Sequence, residues 1–164
     1  MYNPGMKQAK LFLIVILTVL ALLLLTSNNA NPGSPTYNLK RLQEKIFLNL
    51  RLSPEQKADY YDSLLSVRLK ELEHLTYNKK TYLLWDSSLR YTATAGEVTN
   101  LIVQNNLKDK ANQFIGKFRN HQQSINNLLT NYPGDLDPTE ENHKFLTDAI
   151  NYLNLYIEKL SQVK

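Results

Sequence analysis

Glu71 and His74 stand three residues apart, a spacing that sets a carboxylate and an imidazole on one helix face, as in carboxylate-bridged di-iron bundles. Such a centre needs a second Glu-x-x-His and two further glutamates. The other histidines do not supply them. His121 has Lys117 and Phe118 upstream, and His143 follows Glu140 at the right spacing but in the first turn of its helix. His74, near a helix end, is equally well explained as a cation at the negative pole of the helix dipole. Hydrolytic chemistry has no better footing. There is no Cys nucleophile and no Ser in a strand–turn–helix elbow, and five glycines are scattered rather than gathered into a phosphate-cradling loop. Glu140 and Glu141 are adjacent, so their side chains diverge by about 100° on a helix. The residues therefore predict no enzyme, no metal, no cofactor and no evident small-molecule substrate. Ten tyrosines and one tryptophan remain. Most fall at core spacing, while Tyr60-Tyr61 and the Tyr82–Trp85–Tyr91 region could present rings to a sugar or a peptide.

The elements that would position these side chains are helices. Leu39, Leu42, Ile46 and Leu50 recur at helical spacing, with Phe47 widening the stripe, and predict a first helix over Asn38–Leu50 whose apolar face packs inward. Ser53-Pro54-Glu55-Gln56 is a strong start signal: a capping hydroxyl, a Pro suited to the first turn, and a capping-box partner. The second helix runs to about Thr76, burying Tyr61, Leu64, Leu65, the stem of Arg68, Leu69, Leu72 and Leu75. Tyr77-Asn78-Lys79-Lys80 reads as the turn, with Asn78 best suited to a left-handed conformation. A third helix over Thr81–Asn105 offers Leu84, Trp85, Leu89, Ala93, Gly96, Leu101 and Ile102 to the core. Its Thr92–Gly96 stretch of small residues marks close helix contact or a kink. A fourth, from about Lys108 to Asn131, carries Ala111, Phe114, Ile115, Phe118, Ile125, Leu128 and Leu129. Tyr132-Pro133-Gly134-Asp135 must break it. The last starts near Asp137-Pro138 and carries Phe145, Leu146, Ala149, Ile150, Leu153, Tyr156, Ile157 and Leu160. The expected fold is all-α: an up-down bundle of about four long helices, with a short leading helix against it, after an N-terminal transmembrane or signal helix.

That N-terminal segment addresses the protein. Lys7 and Lys10 precede Leu11–Leu25, in which Thr18 is the one non-apolar residue, and no further Lys or Arg follows until Lys40. The positive-inside bias keeps the N-terminus in the cytoplasm and exports the rest. The run is short for a spanning helix, about 22 Å against a core of ~30 Å, but flanking residues can extend it and Lys10 can snorkel. Cleavage would place Ala30 at −1 and Asn28 at −3, a poor fit to a small-x-small site. The expected organisation is a short cytoplasmic N-terminus (1–10), a signal-anchor or signal-peptide core (11–27), a linker (28–36) and an extracytoplasmic helical domain (37–164). The protein is expected to be a single-pass membrane protein; secretion after signal cleavage is the alternative.

Composition narrows the partners. Beyond residue 27 there are 17 basic and 15 acidic side chains, a net +2, too little for a nucleic-acid binder. Without Cys there is no acylation site and no disulfide framework, so about 127 residues must hold one domain together by packing.

One stretch resembles a known family. Pro32-Gly33-Ser34, then Tyr37, Lys40-Arg41 and Glu44, lead into a helix, then Leu52-Ser53-Pro54-Glu55, then a helix with Arg68-Leu69-Lys70-Glu71-Leu72. Over Pro32–Leu75 this resembles a bacterial extracytoplasmic domain of unknown function, found in candidate-phyla bacteria and beside anti-sigma-type membrane proteins. Asn38 stands where Pro usually follows the Tyr. The resemblance implies location and class, not activity. It makes Pro32, Gly33, Ser34, Tyr37, Lys40, Arg41, Glu44, Arg68 and Glu71 a candidate structural or interaction motif. Within it Ser34 could cap the first helix, Tyr37 could dock on the second, and Arg41 or Arg68 could pair with Glu44 or Glu71. Leu52-Ser53-Pro54-Glu55-Gln56 is also similar to the helix start of small periplasmic chaperone-like proteins. The expected function is a membrane-tethered interaction or structural module of the cell envelope, whose partners are the membrane and another envelope protein. A client-binding, chaperone-like or stress-response protein is the alternative.

Overall fold

The computed structural model describes residues 29–132 and 141–163, together with residues 10, 12–15, 18 and 21. All their regular structure is helical. The helices are α1 (Tyr37–Asn49), α2 (Pro54–Tyr77), a 3₁₀ turn (Thr81–Leu83), α3 (Leu84–Gln104), α4 (Lys108–Thr130) and α5 (Glu141–Ser161). The single helix predicted over Thr81–Asn105 is thus a 3₁₀ turn followed by α3, so among the described residues from 37 onward six helical segments stand where five were expected. The Pro133-Gly134-Asp135 break and the Asp137-Pro138 start lie outside the described residues. So does most of the expected membrane segment at 11–27. Among the described residues no helix is long and apolar enough to cross a membrane. Within that segment the Thr18 hydroxyl donates to the Ile14 carbonyl at 2.9 Å, the local bond that lets a helix carry a Thr cheaply.

The chain forms two compact units, one up to Ile46 and one from Phe47 onward. In the first, the Ser34 amide donates to the Asn31 carbonyl at 3.0 Å, around Gly33 at φ 86°, a left-handed angle that glycine adopts without strain. The Lys40 ammonium then reaches back to the Ala30 carbonyl at 2.9 Å. Here α1 departs from its predicted packing. Tyr37, Lys40, Gln43 and Glu44 are buried, whereas Leu42, Ile46, Phe47 and Leu50 are exposed. Periodicity tells which side of a helix is apolar. It does not tell what lies opposite, and polar groups can take the covered side where they are bonded, as Lys40 and Glu44 are.

In the second unit α3 packs on α2 and α5, and α5 on α4. Asp59–Lys110 and Asp62–Lys117 ion pairs show that α2 and α4 run the same way. The pairing of Ser88 with Phe145, and of Gly96 with Tyr156, shows the same of α3 and α5. The core is built from Leu65, Leu72, Leu84, Ile102, Phe114, Phe118, Ile125, Leu146 and Leu153, all fully buried. Local signals set the helix ends. The Ser53 hydroxyl accepts from the Gln56 amide, and the Gln56 side chain accepts from the Leu52 amide, both at 3.2 Å. At the end of α2 the left-handed residue is Lys79 (φ 56°), not Asn78. Asn78 instead spends its side-chain amide on the His74 carbonyl at 2.8 Å, and Lys80 closes onto Leu75 in a Schellman turn. Asn106 (φ 50°) repeats the device after α3, with Leu107 closing onto Ile102.

Candidate functional site

α3 presents small residues to its neighbours. Ser87, Ser88, Thr92, Thr94 and Ala95 are buried, and each threonine hydroxyl there bonds a carbonyl in the preceding turn. Short side chains let backbones approach closely. The Ser88 hydroxyl donates to the Phe145 carbonyl at 2.7 Å, and a Cβ built on Gly96 would stand 2.8 Å from the Tyr156 hydroxyl. The small-residue stretch is therefore a close helix contact. Two bulky side chains lie on its flank: Trp85 is 60 % exposed and Leu89 56 %. Both were predicted to be core, as was Ala93, which is also exposed. The inward side mixes these small residues with Leu84, Tyr91, Val98 and Ile102, and Ser88 and Gly96 stand where α5 comes close.

Trp85, Ser88, Leu89 and Thr92 of α3, with Phe145, Asp148 and Tyr152 of α5, line a groove of about 180 Å³. Trp85 and Phe145 stand 6.4 Å apart, tilted by 39°. A second depression continues past Tyr152 to Asn151 and Leu155 along α5. Rings, aliphatic carbons, three hydroxyls and one carboxylate offer adhesion with a polar point of register, a composition suited to binding rather than to bond-breaking. Tyr82 is exposed like Trp85, but Tyr91, expected in the same ring patch, is fully buried. Leu89, Phe145 and Tyr152 were not anticipated as site residues. The available signal was the pair Ser87-Ser88 and the stretch Thr92–Gly96, small residues that mark where α3 is approached closely.

One polar pair lies inside the helical packing, Tyr91 with His121, and a second, half-buried Tyr61 with exposed Glu97, lies at its edge. Tyr91 Oη and His121 Nδ1 are 3.0 Å apart and their rings stack at 5.9 Å. Burial and the neighbouring Lys117 ammonium lower the His121 pKa to about 4, opposed by Asp62. Burial likewise raises the Tyr91 hydroxyl. Tyr61, desolvated beside Glu97 and bonded to it, is raised to about 12. These shifts favour the neutral forms, and none belongs to the groove.

The motif residues separate into two groups. In the first unit, Pro32 is buried in the turn, Gly33 is exposed, and Tyr37 is buried with the Lys40 ammonium 5.7 Å from its ring centre. Arg41 pairs with Glu44 at 3.0 Å. The Ser34 hydroxyl is buried without a hydrogen-bond partner, so it does not cap α1; its backbone carbonyl accepts from the Tyr37 amide instead. In the second unit, Arg68 Nη1 donates to both carboxylate oxygens of Glu71 at 2.9 Å, with each residue only 1 % exposed. That commitment of Glu71 takes the Glu-x-x-His pair apart, and His74 turns to Asn78 at 3.2 Å. Among the described residues no group of three or more His, Asp or Glu comes together as metal ligands would.

Residues 29–128 match the family model described as domain of unknown function (DUF5667). The chain belongs to this family. The DUF5667 match takes in the linker turn, α1, α2, α3 and most of α4, and with them every residue of the motif. It also includes Trp85 and Leu89. It stops before α5, so Phe145, Asp148 and Tyr152 come from outside the DUF5667 region. No curated protein and no solved structure matches the chain.

Proposed function

We propose that the protein is a membrane-tethered extracytoplasmic interaction module of the cell envelope, with the groove between α3 and α5 as its contact for an envelope protein. The observation that carries this reading is the gathering of exposed Trp85, Leu89 and Tyr152 with Phe145 around one groove, on a bundle that buries Tyr91, Phe114 and Phe118. Trp and Tyr in a half-open apolar setting are the residues that anchor protein interfaces. The apolar run at 11–25 supplies the tether and its flanking lysines the orientation. The turn at Pro32-Gly33, with Lys40 fastened to Ala30, serves as the latch that sets how the domain leaves that tether. The resemblance to domains found beside anti-sigma-type membrane proteins agrees with a partner in the same membrane.

A photo-crosslinker placed at Trp85 or Leu89 of the full-length protein in cells tests the proposal. One or two membrane proteins captured there, but not from a probe at exposed Arg119 on α4, is the expected result. A broad set of unrelated exported proteins would favour the client-binding alternative. Capture equal to that at Arg119 would remove the groove as the contact surface.

A further inference from the structure

Charge beyond the apolar run is unevenly divided. From residue 28 onward there are 17 basic and 15 acidic side chains. Residues 28–52 hold four of the basic (Lys40, Arg41, Lys45, Arg51) and one of the acidic (Glu44), leaving 13 against 14 for residues 53–164. The segment next to the apolar run is therefore +3 and everything after it −1. The whole positive excess sits at one end of the sequence.

α1 shows how part of that charge is presented. Its one carboxylate, Glu44, is buried and paired with Arg41, while Lys45 is exposed. Leu42 and Ile46, one turn apart on the same face, are 53 % and 44 % exposed. Asn38, one turn before Leu42, is exposed too. The outward face is thus apolar and cationic and carries no carboxylate. The Lys40–Ala30 hydrogen bond sets its distance from the apolar run. Ala30 follows Leu25 by five residues, at most roughly 17 Å of chain.

A second copy of the chain is a poor match for this face. Two apolar residues fall far below the ~1,200 Å² that a stable pair of proteins buries, and facing copies would set lysine against lysine. A surface of anionic lipid matches both features. Acyl boundaries take Leu42 and Ile46, and headgroup phosphates take Lys45. We infer that α1 is an interfacial helix lying on the membrane that the run at 11–25 enters, with Leu42 and Ile46 at the acyl boundary and Lys45 against anionic headgroups. This rests on the anchoring proposed above.

The chain has no Cys, so the full-length Asn38→Cys variant can carry a single environment-sensitive fluorophore beside the stripe. It is reconstituted into phosphatidylcholine vesicles with or without phosphatidylglycerol, with Arg119→Cys as the reference label. Flotation of the same samples reads anchoring. The expected result is flotation in both cases and a blue shift of the Asn38 label with phosphatidylglycerol. That shift should be reversed by salt, removed by Leu42→Ser with Ile46→Ser or by Lys45→Glu, and absent at Arg119. All three substituted positions are exposed, so these variants keep their fold. Flotation with an aqueous Asn38 label would overturn the lipid contact and leave the anchoring standing. Failure to float would overturn both. A shift that grows with protein density and ignores lipid charge would assign the face to a second copy and overturn the inference.

Discussion

At the scale of single residues, the fold shows its constraints most directly in His121. Its ordinary pKa near 6.5 falls to about 4 because burial and Lys117 disfavour the imidazolium. The unfolded chain therefore takes up a proton between those values that the folded chain refuses. Stability from this group is complete above about pH 6.5 and is lost as pH falls toward 4, by an amount on the order of 3 kcal/mol. Denaturant titrations across that window should show the fall, and His121→Gln, which cannot charge, should flatten it. An equally steep dependence in the variant would place the effect elsewhere. Trp85 makes a contrasting case. Because it lies at 60 % exposure, Trp85→Ala should change unfolding free energy by no more than about 0.5–1 kcal/mol, whereas Phe114→Ala should cost about 3–5 kcal/mol. Melting curves of the two variants separate the roles. A loss at Trp85 as large as at Phe114 would return the ring to the core.

At the scale of elements, two glycines in helix interiors test the close contact. Nothing lies within 4 Å of where a Gly116 Cβ would stand, so Gly116→Ala in α4 should stabilise by about 0.5–1 kcal/mol through helix propensity alone. Gly96 offers the same propensity gain, but a Cβ there meets the Tyr156 hydroxyl at 2.8 Å. Gly96→Ala should therefore gain less than Gly116→Ala or lose stability, and denaturation midpoints compared side by side decide it. Equal gains would mean that α3 and α5 are not held as closely as the Ser88–Phe145 bond implies. Helix starts and stops were legible because they are local: Ser53 with Pro54 opens α2, and chemistry within a few residues closes it. Even there, Asn78 and Lys79 exchanged roles, because the Asn side chain found a helix carbonyl that propensity does not count.

At the scale of the whole molecule, the proposed tether predicts a topology. With no native Cys, a single Cys at exposed Asn105 should react with a membrane-impermeant maleimide in cells whose outer barriers are permeabilised while the cytoplasmic membrane stays intact. A Cys at Asn3 should react only after that membrane is opened. The reverse pattern would invert the orientation argued from Lys7 and Lys10. The family match and the fold meet on one point: the region that carries the motif supplies one wall of the groove, and α5, beyond it, supplies the other.

What the sequence determined by itself was whatever depends on near neighbours along the chain. It includes the helical class, the boundaries of α2 and α4 to within a residue or so, and the apolar run at 11–25; which of Arg41 and Arg68 meets which of Glu44 and Glu71 was left open, and the structure pairs each with the glutamate three residues on. Tertiary structure decided which face each helix covers. Leu42 and Ile46 lie outside while Lys40 and Glu44 lie inside, and Trp85 lies outside while Ser88 and Thr92 lie inside. The physical reason is that a helical period marks two faces without saying what stands against either. A bonded polar side or a run of small residues can be the better fit to a close neighbour, and the displaced apolar side then becomes the surface open to a partner.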